Sequence, residues 1–577
     1  MLIIAMACSP SDGALGSSSD TLTAVTTATY GNVPVAADHF GTTASVAVPD
    51  TTCSGIGVDQ VRTTVAWEEE HVTTTDIVQS PIWIANQCGF STITVGNGGN
   101  ARPLTTAITG GAPPEWTAFF GSQPMIYSKE PVLLPISHFD TQPWIVMVAQ
   151  VGKQVGEFDS IAIALSTDGG QSWHDSHLLT DVTNFSGGGP QVDDLAATNS
   201  FREDKCDGTY ECTPNAHCPT NNCNTATNDI LVTWTWSSKR FFNYVSYYKN
   251  LDHVWNIAPN PPNQTSLIQR IGTKPPFTQT SENALLNMSI VAGEWSQPGA
   301  IWPFVMFEWP AQSNLSIGQE PTLQVDCTTP QGPTPIANES WHVATGYFGA
   351  GPWTSLPDSH PTTNYPLCVG SDSNGAPHAY RNDLRSSLTY DPGSHSVIDA
   401  VAIPNPSQLS APGTVIAANA YQFNTPPGGG GVIGPTLVFE SSHATTGPQE
   451  DQFLPVIKGQ EFSAPATGLA IAYVDSIEDP ANQNRPSGFY GANTDAFDPN
   501  NPNDLQTCSG SMTHCWWFGP TYGRIWSAAP GTLLAGPDDE LGRHNSIATW
   551  SGEYFFAYGG VFNGSAIVAQ TTSVWPQ

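Results

Sequence analysis

Ser166-Thr167-Asp168-Gly169-Gly170-Gln171-Ser172-Trp173 follows two apolar stretches, WIVMVAQV at 144–151 and SIAIALS at 160–166. Short Val, Ile and Ala stretches bounded by Gly and Asp read as strand, turn, strand and a second, tight turn. Each residue type in that turn has a physical task. Asp168 can accept hydrogen bonds from backbone amides of its own loop. Gly170 can take a positive φ at little steric cost. Trp173 offers a large ring to bury against a neighbouring sheet. Both strands are apolar on their two faces, so the sheet they build must be covered on both sides, as in stacked propeller blades.

The same plan recurs. DILVTWTW at 229–236 and FFNYVSYY at 241–248 lead into Tyr248-Lys249-Asn250-Leu251-Asp252-His253-Val254-Trp255. EYFFAYGG and SAIVAQTTSVW near the C-terminus repeat it with a shortened turn before Trp575. Further strands are expected at 301–309 and 469–474. A repeated strand unit cannot bury its faces alone and has to stack on neighbours. Units are expected near 60–105, 140–180, 187–258, 288–355, 385–445 and 455–530, with closure at 538–577.

The pattern S-x-D-x-G-x-x-W at Ser166, Asp168, Gly170 and Trp173 resembles the Asp-box of the sialidase-like β-propellers. At 248–255 it is degenerate, with Tyr248, Asn250 and Asp252 in place of Ser, Asp and Gly. The resemblance implies an all-β, six- or seven-bladed propeller with disulfide-bearing loop insertions. In that family these turns lie away from the active face, which makes the motif residues structural. A sialidase of the family clamps its substrate carboxylate with three arginines, uses a Tyr paired with a Glu as nucleophile, and an Asp as acid/base. The family's Arg-Ile-Pro motif is absent; Arg62, in Val61-Arg62-Thr63, comes nearest. Arg202, Arg381, Arg385 and Arg543 lie between strands, and nothing in the sequence fixes three of them together.

Composition narrows the partners. Charged residues make up 12% of the chain, against roughly 25% in ordinary soluble proteins. Lys and Arg total 17 against 50 Asp and Glu, a net charge of −33. A surface so poor in bases does not suit nucleic acid, because phosphate binding needs clustered Lys or Arg. It also favours neutral glycans over anionic ones.

The first residues, Met1-Leu2-Ile3-Ile4-Ala5-Met6-Ala7-Cys8, resemble the tail of a bacterial lipoprotein signal, with Cys8 as the lipidated residue. Residues 1–8 are accordingly read as a signal remnant, 9–50 as a flexible tether and 51–577 as a single propeller domain. Apart from Cys8, the cysteines fall into local groups: Cys53 and Cys88; Cys206, Cys212, Cys218 and Cys223; Cys327 and Cys368; Cys508 and Cys515. Their spacing is unlike zinc sites, so disulfides and an oxidising compartment are expected. The chain is read as an exported monomer, either a bacterial outer-membrane or cell-surface lipoprotein that meets a membrane only through the lipid, or a secreted protein.

Two insertions carry the remaining candidates. Residues 187–228 contain Asp193, Asp194, Arg202 and the four-cysteine group, and long loops are often functional. Residues 495–517 contain Asp495, Asp498, Asn500, Asn503 and Asp504, then Trp516 and Trp517. The oxygen-rich run could hold Ca²⁺ or be a polar turn; no metal site or cofactor is otherwise expected. The tryptophans read either as a sugar platform or as core. Candidate ligand-binding residues are thus Arg62, Asp193, Asp194, Arg202, Trp516, Trp517 and Arg543. The expected function is recognition of a glycan or other extracellular ligand. An exo-acting glycoside hydrolase and a non-catalytic envelope scaffold or adhesion protein are the alternatives.

Overall fold

The structure, a computed structural model, describes the strands given below with Ile82, Trp144, the 167–173 turn, Leu179, Met288, Ser386 and Ser394. All described elements are strands. Most form antiparallel runs in chain order, called I to VII. Run I comprises His39–Asp50, Arg62–Val72, Trp83–Cys88 and Ala101–Pro103, with Ile77–Gln79 beside the second strand. Run II comprises Tyr127–Pro135, Ile145–Gly152, Ser160–Ser166 and His174–Leu178. Run III comprises Val192–Asn199, Thr227–Trp236, Lys239–Tyr248 and Trp255–Ile257. Run IV comprises Ser289–Gln297, Ala300–Gln312, Asn338–Gly346 and Thr354–Ser355.

Run V takes Ser387–Asp391, Ser396–Pro404, Thr414–Phe423 and Val432–Glu440. Run VI takes Glu450–Gly459, Leu469–Ile477 and Gly488–Thr494, with Trp517–Phe518 and Arg524–Ser527 both paired to the third strand. One parallel bridge, Thr414↔Asp451, joins V and VI into a nine-stranded sheet. Run VII combines Ser546–Trp550, Glu553–Phe562 and Ser565–Val574 with Thr27–Asn32 from the far end of the chain. A small hairpin, Lys205–Cys206 with Tyr210–Glu211, lies between the first two strands of run III.

The stretches read as strands from their apolar pattern lie in strands, give or take a residue at their ends. The tether reading needs correction. Thr27–Asn32 pairs with the last strand, Thr27↔Thr572 to Asn32↔Ile567, and His39–Asp50 opens run I. The physical reason is legible afterwards: Ser45-Val46-Ala47-Val48 alternates like a half-buried strand. Of the cysteines expected in disulfides, Cys88 ends a strand opposite Arg62 and Cys206 opposes Tyr210. The other cysteines lie outside the described residues.

Neighbouring runs pack face to face. Along Ile145–Gly152, Ile145, Met147, Ala149 and Val151 share a core with Ala66, Ile82 and Ile84 of run I. The alternate residues Val146 and Val148 meet Ile230, Val232 and Trp234 of run III. This is the period-2 geometry of a strand buried on both sides. Val291, Phe304 and Met306 of run IV join Leu388, Tyr390 and Tyr421 of run V, and Ile398 and Ile416 of run V join Ile457 and Ile471 of run VI. Each Val, Leu, Ile, Phe or Met among them gains about 1.5–3 kcal/mol from leaving water.

The first strands of the runs touch in sequence, I to II and onward to VII, and VII touches I again. Two neighbouring pairs reveal their direction. Leu195 and Asn199 of run III bond to Glu130 and Pro135 of run II. Ile457 and Gly459 of run VI bond to Ser387 and Thr389 of run V. The contacts advance together, so these first strands run parallel. Each therefore has a leading end, where the chain enters, and a trailing end.

Candidate functional site

A one-residue bulge sets two residues against one and leaves part of the backbone outside the ladder. The first strands of four runs carry such a step. It lies between Gly41 and Ala44 in run I, Lys129 and Val132 in II, Asp193 and Ala196 in III, and Phe453 and Val456 in VI. In runs II and III the bulge begins with an acid in the left-handed region, Glu130 at φ 51° and Asp194 at φ 52°. Among the described residues these are the only non-glycine residues with positive φ. Holding such a conformation costs about 1–3 kcal/mol each.

Both acids are buried, Glu130 to 1% exposure and Asp194 to 3%. Each reaches toward the following run. Leu195 N–H donates to Glu130 Oε2 at 3.1 Å, and Gln150 Nε2 donates to the same oxygen. Met288 N–H, just ahead of run IV, donates to Asp194 Oδ2 at 3.5 Å. Glu130 thus holds an amide of the next bulge, and Asp194 an amide of the chain entering run IV. Elsewhere hydroxyls do the same work: Ser45 accepts Leu133 N–H at 2.9 Å, and Thr389 accepts Gly459 N–H at 2.9 Å.

The turn at 166–173 sits at the trailing end of run II. Ser166 Oγ accepts Gly170 N–H at 2.7 Å and donates to Asp168 Oδ1 at 2.8 Å. Asp168 also accepts Ser172 N–H at 2.8 Å and the Ser172 hydroxyl at 2.5 Å. Gly169 and Gly170 take φ of 73° and 85°, which closes the loop without a Cβ in the way. Burial pushes the Asp168 carboxyl up, but the bonds from Ser172, Ser166 and the Gln171 backbone outweigh it and hold the group below its ordinary value. The turn also docks on run I: Thr64 Oγ1 donates to Gly169 O at 2.7 Å, and Trp173 is fully buried with Ala66 and Ile84. These bonds of Ser166, Asp168 and Gly170 stay within the turn, and the turn's own contacts through Gly169 and Trp173 reach across to run I.

The structure separates the other sequence candidates. Residues 187–228 are not one insertion; strand Val192–Asn199 runs through them. Its polar opening and bulge hide the strand period. Asp193, opposite Thr235, and Asp194 stand at the leading end of run III, whereas Arg202 comes after Asn199 in the chain. Arg62 opens the second strand of run I opposite Asp50, at the trailing end. Trp517 opposes Asn493 at the trailing end of run VI. Arg202, Trp516, Arg543, Cys8 and the acidic run 495–504 lie outside the described residues. No group of His, Cys, Asp or Glu able to hold a metal ion occurs among the described residues. Glu130 was missed by sequence reasoning. Its signal was Pro131, since proline inside a strand is confined to edges and bulges.

No family model matches the chain, and no curated protein matches it. Solved structures do show likeness. An α-L-arabinofuranosidase from Fusarium graminearum bound to an iminosugar inhibitor has a TM-score of 0.35 at 10% identity, covering 77% of this chain and 91% of that one. The sialidase of Trypanosoma rangeli in complex with the inhibitor DANA gives 0.35 at 10% identity, covering 77% and 54%. An α-L-arabinanase of Penicillium chrysogenum complexed with arabinobiose gives 0.33 at 8% identity, covering 75% and 90%. The chain's own sheets and bonds describe an all-β protein built from stacked antiparallel runs.

Proposed function

We propose that this chain is a seven-bladed β-propeller that recognises a glycan at the leading end of its central strands. The observation that carries the reading is the pair Glu130 and Asp194, two buried acids strained at equivalent bulges of neighbouring first strands. Strain of this kind persists where a site needs its geometry. The cyclic contact of first strands, with Thr27–Asn32 completing the last run, supports the circular arrangement. The turn at 166–173 is then an Asp-box, and Cys8 a lipid attachment site on an exported, surface-held or secreted monomer. The low number of bases favours a neutral ligand.

A second reading has its own support. Most glycoside hydrolases use two carboxylates flanking the scissile bond, and Glu130 and Asp194 are two carboxylates on adjacent strands. Against this stands their engagement: each accepts a main-chain amide of the following run, which suits holding a shape better than moving a proton. Recognition therefore comes first.

The test is the purified chain on an array of neutral and sialylated oligosaccharides, run beside an assay for released sugar. The expected result is retention of neutral glycans, weakened about tenfold by Asp194→Asn in a protein that still unfolds cooperatively, with no release. Sugar release abolished by Glu130→Gln or Asp194→Asn would put the hydrolase first. Silence on every glycan, with one protein partner captured, would favour the scaffold.

A further inference from the structure

We propose that Gln150 is a positioning residue for the Asp194 bulge, acting through Glu130 from a place that touches no ligand. The proposal rests on the reading of the leading end as the recognition site. Gln150 lies on the second strand of run II, fully buried, opposite Lys129 and Ile161 in register. Its Nε2 donates to Glu130 Oε2, and that same oxygen accepts the amide of Leu195. Leu195 is the second residue of the Asp194 bulge, between the paired positions Asp193↔Thr235 and Ala196↔Thr233. Asp194 in turn accepts the Met288 amide.

The result is one line of polar contacts across three runs: Gln150 to Glu130, Glu130 to the Leu195 peptide, Asp194 to the chain entering run IV. A bulge has fewer ladder bonds to fix it than a regular strand. Glu130 supplies a missing acceptor, and a carboxylate on a long side chain keeps its direction only if something pins it. Gln150 does so. Removing that donor takes one hold from the carboxylate, loosens the Leu195 amide and lets the bulge at Asp194 relax. Hydroxyls bridge the first strands at Ser45 and Thr389; between runs II and III the longer Glu130 side chain does so, steadied by Gln150.

Two substitutions separate this role from packing. Gln150→Met keeps the volume and loses the donor. Gln150→Glu keeps the shape but donates only when protonated, so its effect depends on pH. The charged groups placed along this line are Glu130, Asp194 and, opposite Gln150 in register, Lys129. The measurements are amide hydrogen exchange of segment 192–199 in the full chain, corrected for intrinsic rates, and affinity for the glycan selected by the array.

For Gln150→Met, exchange at Leu195 should rise at least tenfold and affinity fall about tenfold, in a protein that still unfolds in one transition. Gln150→Glu should exchange at least as fast at pH 8, where a second carboxylate repels Glu130, and return toward the parent protein at low pH as the pair takes up a proton. Unchanged exchange in 192–199, or exchange in Gln150→Glu that ignores pH, overturns the proposal. Faster exchange with undiminished affinity overturns it as well. If the parent chain binds no glycan, the recognition reading fails while exchange alone still decides whether Gln150 sets the bulge.

Discussion

The two ends of run II hold a carboxylate each and use it in opposite ways. At the leading end Glu130 reaches out of its own sheet to take the Leu195 amide of run III, and Gln150 steadies it. At the trailing end Asp168 folds back into its own turn, taking the amide and hydroxyl of Ser172, and leaves docking on run I to Gly169 and Trp173. Glu130 is almost wholly buried, whereas Asp168 keeps part of its surface in water. A local cap can be lost at the cost of one turn. An acid that ties two sheets together leaves several buried donors unanswered when it is removed.

The largest expected effect follows from that contrast. Glu130→Ala should lower unfolding free energy by about 3 kcal/mol, since it strands buried donors on two runs. Asp168→Ala should cost roughly half as much, in the range of a lost cap. Urea titrations of the two variants against the parent protein measure both. Equal losses would erase the distinction between an inter-sheet tie and a local one.

Next in size is the contact that couples the trailing-end turn to run I. Gly170 has φ 85°, and a Cβ there would stand 2.6 Å from Thr64 Cγ2. Gly170→Ala combines an unfavourable backbone with a clash and should cost about 2 kcal/mol. Adding Thr64→Ala removes the clash but not the backbone strain, so the double variant should recover about 1 kcal/mol of coupling. No recovery in the double-mutant cycle would mean that the turn's fit depends on its own backbone and not on the neighbouring sheet.

The same contrast explains what was legible in the sequence. The trailing-end turn was readable because most of its work is local: Ser166, Asp168 and Gly170 bond within the turn itself, so their spacing is fixed in the chain, and Trp173 reaches across to run I. The apolar stretches were readable for the same reason, their period being a property of one strand. Glu130 was not readable, because its partners are distant in sequence: Gln150 is brought to it by strand pairing within run II and Leu195 by the packing of run III. Asp194 was singled out, but as part of a loop with Arg202; the bulge at 193–196 breaks the alternation that would have marked a strand. Thr27–Asn32 carries no local sign of a strand, since its pairing partner stands at the opposite end of the chain.

The smallest effect sharpens the comparison most, because it separates charge from shape in the local turn. The Asp168 carboxyl lies below its ordinary value, burial being outweighed by the bonds from Ser172, Ser166 and the Gln171 backbone. A carboxyl lowered by folding stabilises the protein above its unfolded value, near pH 4, and that contribution fades as pH falls through the lower folded value. Asp168→Asn keeps the outline of the side chain and can still accept Ser172 N–H, so its cost at pH 6 should be modest, about 1 kcal/mol. The gap between parent and variant should then close as stability is followed from pH 6 down to pH 2 by chemical unfolding. A gap that stays constant would show the turn to be held by shape alone. In that case Asp168 would differ from Glu130 in what it holds and not in how it holds it.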